Sequence, residues 1–141
     1  MSTGLWIAVA AVVLAVGFGL YRALTDGRFR RPAQSPTWDT LAEAAGVRPG
    51  ERATLVQFSS AFCAPCRVTR RVLADVADSV PGVVHVDIDA EQHLDVVRRL
   101  GILRTPTTLV LDAGGNEVAR AAGAPRKEQV LGALPGEQTA S

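Results

Sequence analysis

The sequence predicts an α/β fold: a mixed β-sheet flanked by helices on both faces, preceded by one N-terminal transmembrane helix. Three observations carry this. From about residue 53 the hydropathy pattern alternates strand and helix and then ends in a hairpin and a last helix, β-α-β-α-β-β-α. Residues 2–21 hold no charged side chain. The only two cysteines, Cys63 and Cys66, fall where the first of these strands gives way to a helix.

The 141 residues suffice for one domain and an appendage, and 48% apolar with 21% charged residues is ordinary for a globular chain. The formal net charge of +1 gives no electrostatic case for nucleic-acid binding. Four segments are expected: an anchor over 1–24, a linker and short helix over 25–52, a folded domain over 53–135 and a flexible tail over 136–141.

In the anchor, LWIAVAAVVLAVGFGLY (5–21) is apolar all round. A membrane span needs roughly 20 apolar residues, with ~17 at the short end. Trp6 and Tyr21 stand near its two ends, where interfacial aromatics belong. A signal peptide opens on positive charge, and no Lys or Arg precedes Trp6, so an uncleaved anchor is the expectation. Arg22, Arg28, Arg30 and Arg31 follow the span. The positive-inside rule therefore favours a cytoplasmic domain, with an extracytoplasmic one as the alternative.

TDGRFRRPAQSP (25–36) is polar, carries two prolines and reads as a linker. Thr37 is a candidate cap for a short helix that Gly46 ends. TLVQFS (54–59) reads as a buried strand. From Cys66, the positions Val68, Val72, Leu73, Val76 and Val80 have helical spacing, with Arg70 and Arg71 facing away and Pro81-Gly82 as the stop. VVHVDID (83–89) alternates, with Val84, Val86 and Ile88 opposite His85, Asp87 and Asp89. Residues 91–100 carry a stripe of Leu94, Val97 and Leu100 up to Gly101, with His93 on the polar face. TTLVLD (107–112), the turn AGGN and EVARAAG (117–123) form the hairpin. Pro125 opens a helix with Val130, Leu131 and Leu134 inward.

A CxxC pair closes too short a loop to constrain the unfolded chain much, which points to reactivity or metal binding over a structural staple. At a helix start, unpaired backbone N–H groups favour a thiolate at Cys63, the nucleophilic form. Pro65 suits an early helical position because it has no N–H to leave unpaired. Arg67 adds positive charge. Zinc needs about four ligands, and His85 and His93 lack ligand spacing to the pair; Cu(I) held by a dithiolate is a second possibility. Asp87, Asp89 and Glu91 form an acidic cluster that reads as a solvated strand end and helix cap.

FCAPCR after a buried strand, with GILRTPT and TTLVLD before a hairpin, resembles the thioredoxin family over roughly residues 53–135. The resemblance implies a thioredoxin-like fold and a protein disulfide oxidoreductase with no cofactor beyond a redox-active Cys63–Cys66 disulfide and no metal. It implies a cis bond at Thr105-Pro106 facing the cysteines, with Thr105, Pro106, Phe62, Ala64 and Pro65 meeting the substrate. Gly123 matches a family glycine. The implied partners are disulfide-containing proteins and an electron donor, either of thioredoxin-reductase type or a transmembrane protein. An outward-facing domain would instead resemble cytochrome-maturation oxidoreductases, and a copper or redox-partner binding module is the non-catalytic alternative.

Three departures from the family pattern bear on activity. Phe62 and Ala64 replace the usual Trp and Gly around the first cysteine. Ser59 stands where many members carry Trp. Gln57 replaces a buried Asp that assists proton transfer at the second cysteine, with His85 in the place of a nearby lysine. An amide cannot act as a base at neutral pH. Gln57, His85 and Arg67 are therefore expected to modulate the exchange rate and its pH dependence.

Overall fold

A computed structural model describes residues 2–29 and 37–136. In chain order the elements are α1 (Thr3–Thr25), α2 (Trp38–Ala45), β1 (Ala53–Ser59), α3 (Ala64–Ser79), β2 (Val83–Asp89), α4 (Leu94–Leu100), β3 (Thr107–Asp112), β4 (Glu117–Ala122) and α5 (Lys127–Ala133). Most of the expected 25–36 linker lies outside the described residues.

The sheet order is β2-β1-β3-β4, with β1 parallel to β2 and the other pairs antiparallel. Every residue of β1 is buried, because it is central in the sheet and covered on both faces. Its alternate side chains feed two cores. Val56 and Phe58 join Leu41, Val86, Ile88, Val96, Leu109 and Leu111 under α2 and α4. Ala53 and Leu55 join Leu73, Val76, Val110, Ala119, Val130 and Leu134 under α3 and α5. Period-two alternation in the strand thus becomes two layers of burial.

Both short helices end where expected, at Gly46 and Gly101 in the left-handed region. Two helical stripes differ from expectation. In α3 the buried face is Cys66, Thr69, Leu73 and Val76, and Val68 is 55% exposed. The helix phase is set by Cys66 at its start, so a residue two positions on points away. In α4 the helix begins at Leu94, not at residue 91. Leu94 is exposed and Val96 is the buried side chain. The reason is the preceding turn: Asp89 accepts from the Glu91 N–H, which consumes residues 89–92 and places His93 at the N-cap rather than on a helix face. Arg70 also departs from expectation. It reaches across to Asp87 as an ion pair rather than facing away.

Helix α1 has 23 residues and no buried side chain. At 1.5 Å per residue it is about 35 Å long, enough for a hydrocarbon layer of ~30 Å. A helix of this length and composition near an N-terminus fits either a membrane span or a signal sequence. The chain leaving it is held to the domain. The Gly27 N–H donates to the Ala122 carbonyl, Asp26 pairs with Arg104 at 2.9 Å, and Phe29 packs on the core beneath α3 and α5.

Candidate active site

The site is assembled from the end of β1, the start of α3 and the loop before β3. Strand β1 stops at Ser59, and the chain turns through Ser60, Ala61 and Phe62 into α3. Cys63 occupies the N-cap, and its sulfur accepts the Cys66 backbone N–H at 3.2 Å. One of the orphan donors at the helix start is thereby met by sulfur. Pro65 stands within the first helical positions, where a missing N–H costs nothing.

Cys63 and Cys66 are joined in a disulfide with a Cα–Cα separation of 5.2 Å. The two sulfurs are not equivalent. Cys66 is 1% exposed, whereas Cys63 is half-buried at the rim. Phe62, Ala64, Pro65 and Arg67 surround the rim and are all exposed, Phe62 completely.

The peptide bond between Thr105 and Pro106 is cis. This loop is tied to the cysteine loop by a hydrogen bond of 3.0 Å between the Ser60 and Thr105 hydroxyls. Ser60 was not among the residues singled out from sequence. A lone serine in a loop gives no signal until the fold brings Thr105 beside it. From the other side, the Gly123 N–H donates to the Pro106 carbonyl at 2.8 Å. A Cβ on Gly123 would stand 2.8 Å from Arg104 Nη2 and 3.1 Å from Gly27 N, and its φ is +93°. Glycine is thus required there both by conformation and by space.

Beneath the disulfide lies a buried polar chain. Gln57 is 0% exposed; its Nε2 donates to the Cys66 carbonyl at 2.9 Å, and His85 Nε2 lies 3.2 Å from its Oε1. Because the amide nitrogen is committed to Cys66, its oxygen faces the imidazole, and His85 Nε2 carries the proton and donates. Burial lowers the His85 pKa from its ordinary 6.5; Asp87 nearby acts upward and Arg70 adds a downward push. Asp87 itself accepts from the Ser59 hydroxyl and from Arg70. The expected acidic cluster is therefore partly an ion-paired bridge between β2 and α3. Among the described residues no group of three or more His, Cys, Asp or Glu is placed to hold a metal.

A half-exposed sulfur at a helix N-terminus, bonded to a buried partner and set beside a cis-proline loop, defines a thiol–disulfide exchange site. Residues 38–134 match the thioredoxin family profile, and the chain belongs to the thioredoxin family. It is 31% identical over 103 residues to Thioredoxin H2-2 of Oryza sativa subsp. japonica, covering 73% of this chain and 75% of that protein. It is 33% identical over 108 residues to the thioredoxin of Alicyclobacillus acidocaldarius subsp. acidocaldarius, covering 76% and 88%. Among solved structures, chloroplastic thioredoxin z superposes with a TM-score of 0.54 at 28% identity, covering 67% of this chain and 83% of that one. The chain is a disulfide oxidoreductase of thioredoxin type, and it carries a disulfide-capable Cys63–Cys66 pair.

Proposed function

We propose that the protein is a membrane-tethered reductase of protein disulfides, anchored by α1 with its domain on the cytoplasmic side. The observation that carries the chemistry is the asymmetry of the pair: Cys63 at the rim and helix cap, Cys66 buried behind it. In the reduced protein the Cys63 thiolate attacks one sulfur of a substrate disulfide. The substrate S–S bond breaks, a Cys63–substrate bond forms, and the departing sulfur takes a proton. The Cys66 thiolate then attacks Cys63 Sγ, releasing the second substrate sulfur as a thiol and leaving the Cys63–Cys66 disulfide. Two electrons have passed to the substrate. They are restored by an external dithiol or flavoprotein donor of thioredoxin-reductase type. If the domain faces outward, a transmembrane thiol carrier supplies them.

The rim residues Phe62, Ala64 and Pro65 contact the substrate chain beside the attacked sulfur. The Thr105 backbone, turned by the cis bond to Pro106, aligns that chain against Cys63. Gln57, His85 and Arg67 set the proton affinity of the pair. The cytoplasmic placement rests on Arg22, Arg28, Arg30 and Arg31, which follow the apolar run 5–21 in the sequence, and a compartment that keeps thiols reduced suits a reductase.

The test is a pair of variants. Cys66→Ser is expected to accumulate a covalent complex with substrate through Cys63, and Cys63→Ser to lose both the complex and catalytic disulfide reduction. Turnover that persists in Cys63→Ser would overturn the assignment. Sidedness is read with a membrane-impermeant alkylating reagent on reduced intact cells: labelling only after lysis is expected, and labelling before lysis places the pair outside.

A further inference from the structure

A cavity of about 340 Å³ lies where the last turn of α1 meets the domain. Its wall combines Tyr21, Thr25 and Arg28 from the anchor side with Leu103, Arg104 and Arg120 from the loop before β3 and from β4. The function proposed above does not use it.

Its charge has a net excess of one positive group: Arg28, Arg104 and Arg120 line it, against Asp26 in the wall and the buried Glu117 behind Arg120. Arg104 is paired to Asp26 at 2.9 Å. Arg120 is held by the buried Glu117 and by the Leu100 carbonyl. Those bonds use three of the five N–H groups of a guanidinium, and two remain for a ligand. Arg28 is exposed and forms no ion pair among the described residues. Fixed guanidinium groups of this kind suit the oxygens of a phosphate, which they can grip in pairs.

Its position is equally particular. Tyr21 is the last aromatic of the apolar helix, and the first charged side chain, Arg22, follows at once. If α1 spans a bilayer, the cavity sits at headgroup depth, where tyrosines collect. The fully exposed Leu103 beside it offers apolar surface to the upper part of an acyl chain.

We infer that this cavity binds a phosphate group, supplied by the headgroup of an anionic phospholipid. The inference rests on the membrane reading of α1 for the source of the phosphate, while the phosphate chemistry rests on the arginines alone. A headgroup bound here would touch Arg104, the residue before Thr105, and so fix the substrate loop at the membrane surface.

The full chain is placed in nanodiscs of phosphatidylcholine with a minor fraction of phosphatidylglycerol. Lipids retained on the protein after mild detergent release are weighed by native mass spectrometry. Phosphatidylglycerol is expected to be enriched over its bulk share by about fivefold, the factor that ~1 kcal/mol from the one unpaired basic residue, Arg28, implies. Arg28→Glu, an exposed change, and Arg104→Gln are each expected to remove most of the enrichment. A second arm titrates inorganic phosphate into protein held in pure phosphatidylcholine, followed by phosphorus NMR. Binding there with the same variant sensitivity, without lipid enrichment, makes the source a soluble anion and retains the site. Absence of both, or enrichment that Arg28→Glu leaves intact, overturns the inference. Alkaline extraction of cell membranes is scored separately: a chain that is stripped off defeats the anchor reading, and the phosphate arm then decides the cavity by itself.

Discussion

Gln57 donates its side-chain N–H to the carbonyl oxygen of Cys66 at 2.9 Å, from a position with no solvent exposure. The bond fixes the backbone of the buried cysteine, and it is made by an amide at the place where the family pattern has a carboxylate. That amide has no group that titrates near neutral pH, so it cannot act as a base. Cys66 must therefore lose its proton without a basic neighbour at residue 57.

Gln57→Asp tests this directly. Burial raises the pKa of a carboxylate, so the new group titrates nearer neutrality than a surface aspartate. The rate at which Cys66 resolves the mixed disulfide is expected to gain a pH inflection that the parent lacks. The change also strips Cys66 of its donor and leaves His85 facing a carboxylate, at a stability cost of about 1–3 kcal/mol. Stopped-flow release of substrate thiol across neutral pH reads the first effect, and denaturant unfolding reads the second. Superimposable pH profiles would remove Gln57 from the proton-transfer argument.

His85 carries its own pH signature. Its folded pKa lies below the unfolded 6.5, chiefly through burial. The unfolded chain thus takes up the proton first as pH falls. The stability associated with a neutral His85 is complete above pH 6.5 and is lost as pH drops from there through the lowered folded value. Loss is bounded by about 1.4 kcal/mol per pH unit. His85→Gln keeps a donor toward Gln57 and cannot titrate. The difference in unfolding free energy between parent and variant should stay constant above neutrality and change on acidification, with the variant gaining relative to the parent. A difference that does not vary with pH would refute the assignment.

Part of this site is legible in the sequence. The apolar spacing after Cys66 places a helix start at Cys63 and Cys66, Pro65 suits that start by residue type, and the family resemblance singles out Thr105-Pro106 before the third strand. The contacts that sequence reading missed are cross-chain ones. Ser60 meets Thr105 only because β1 and β3 are neighbours in the sheet. Arg70 finds Asp87 because α3 lies over the edge strand β2. The stripe errors at Val68 and Leu94 have another origin. Both sit at a helix start, where the capping turn sets the helical phase, and a run of apolar letters does not encode that phase. The docking of Asp26, Gly27 and Phe29 was hidden by composition, since a polar stretch with three arginines and two prolines reads as solvated linker.

The Ser60–Thr105 bond makes a measurable claim about substrate recognition. It joins the loop that carries Cys63 to the cis-proline loop that the proposed mechanism uses to align the substrate. Ser60→Ala removes one hydrogen bond of about 0.5–1.5 kcal/mol. Substrate affinity for the trapped Cys66→Ser form is expected to weaken by about 2- to 10-fold, with little change in overall fold. Thr105→Ser retains a hydroxyl and should weaken binding less than Thr105→Val. Equal affinity in Ser60→Ala and parent would show that the two loops hold their spacing without the bond.

Gly27 tests whether the segment after α1 is docked on the domain or merely attached to it. Its φ is +77°, and a Cβ there would lie 2.5 Å from the Ala124 carbonyl oxygen and 2.9 Å from Pro125 Cα. Both neighbours are backbone, so neither can swing aside. Gly27→Ala must therefore shift the chain and break the bond from its N–H to the Ala122 carbonyl, next to Gly123 and its bond to Pro106. A cost of about 1–3 kcal/mol follows from strain in the left-handed region together with the lost hydrogen bond. For a domain of this size, each kcal/mol lowers Tm by about 4–8 °C. The full chain in detergent is expected to melt several degrees lower, with faster amide exchange at Gly123. Arg28→Ala, a neighbouring change that touches neither bond, should melt like the parent. If Gly27→Ala also melts like the parent, the segment after α1 contributes no stability and behaves as a free tether.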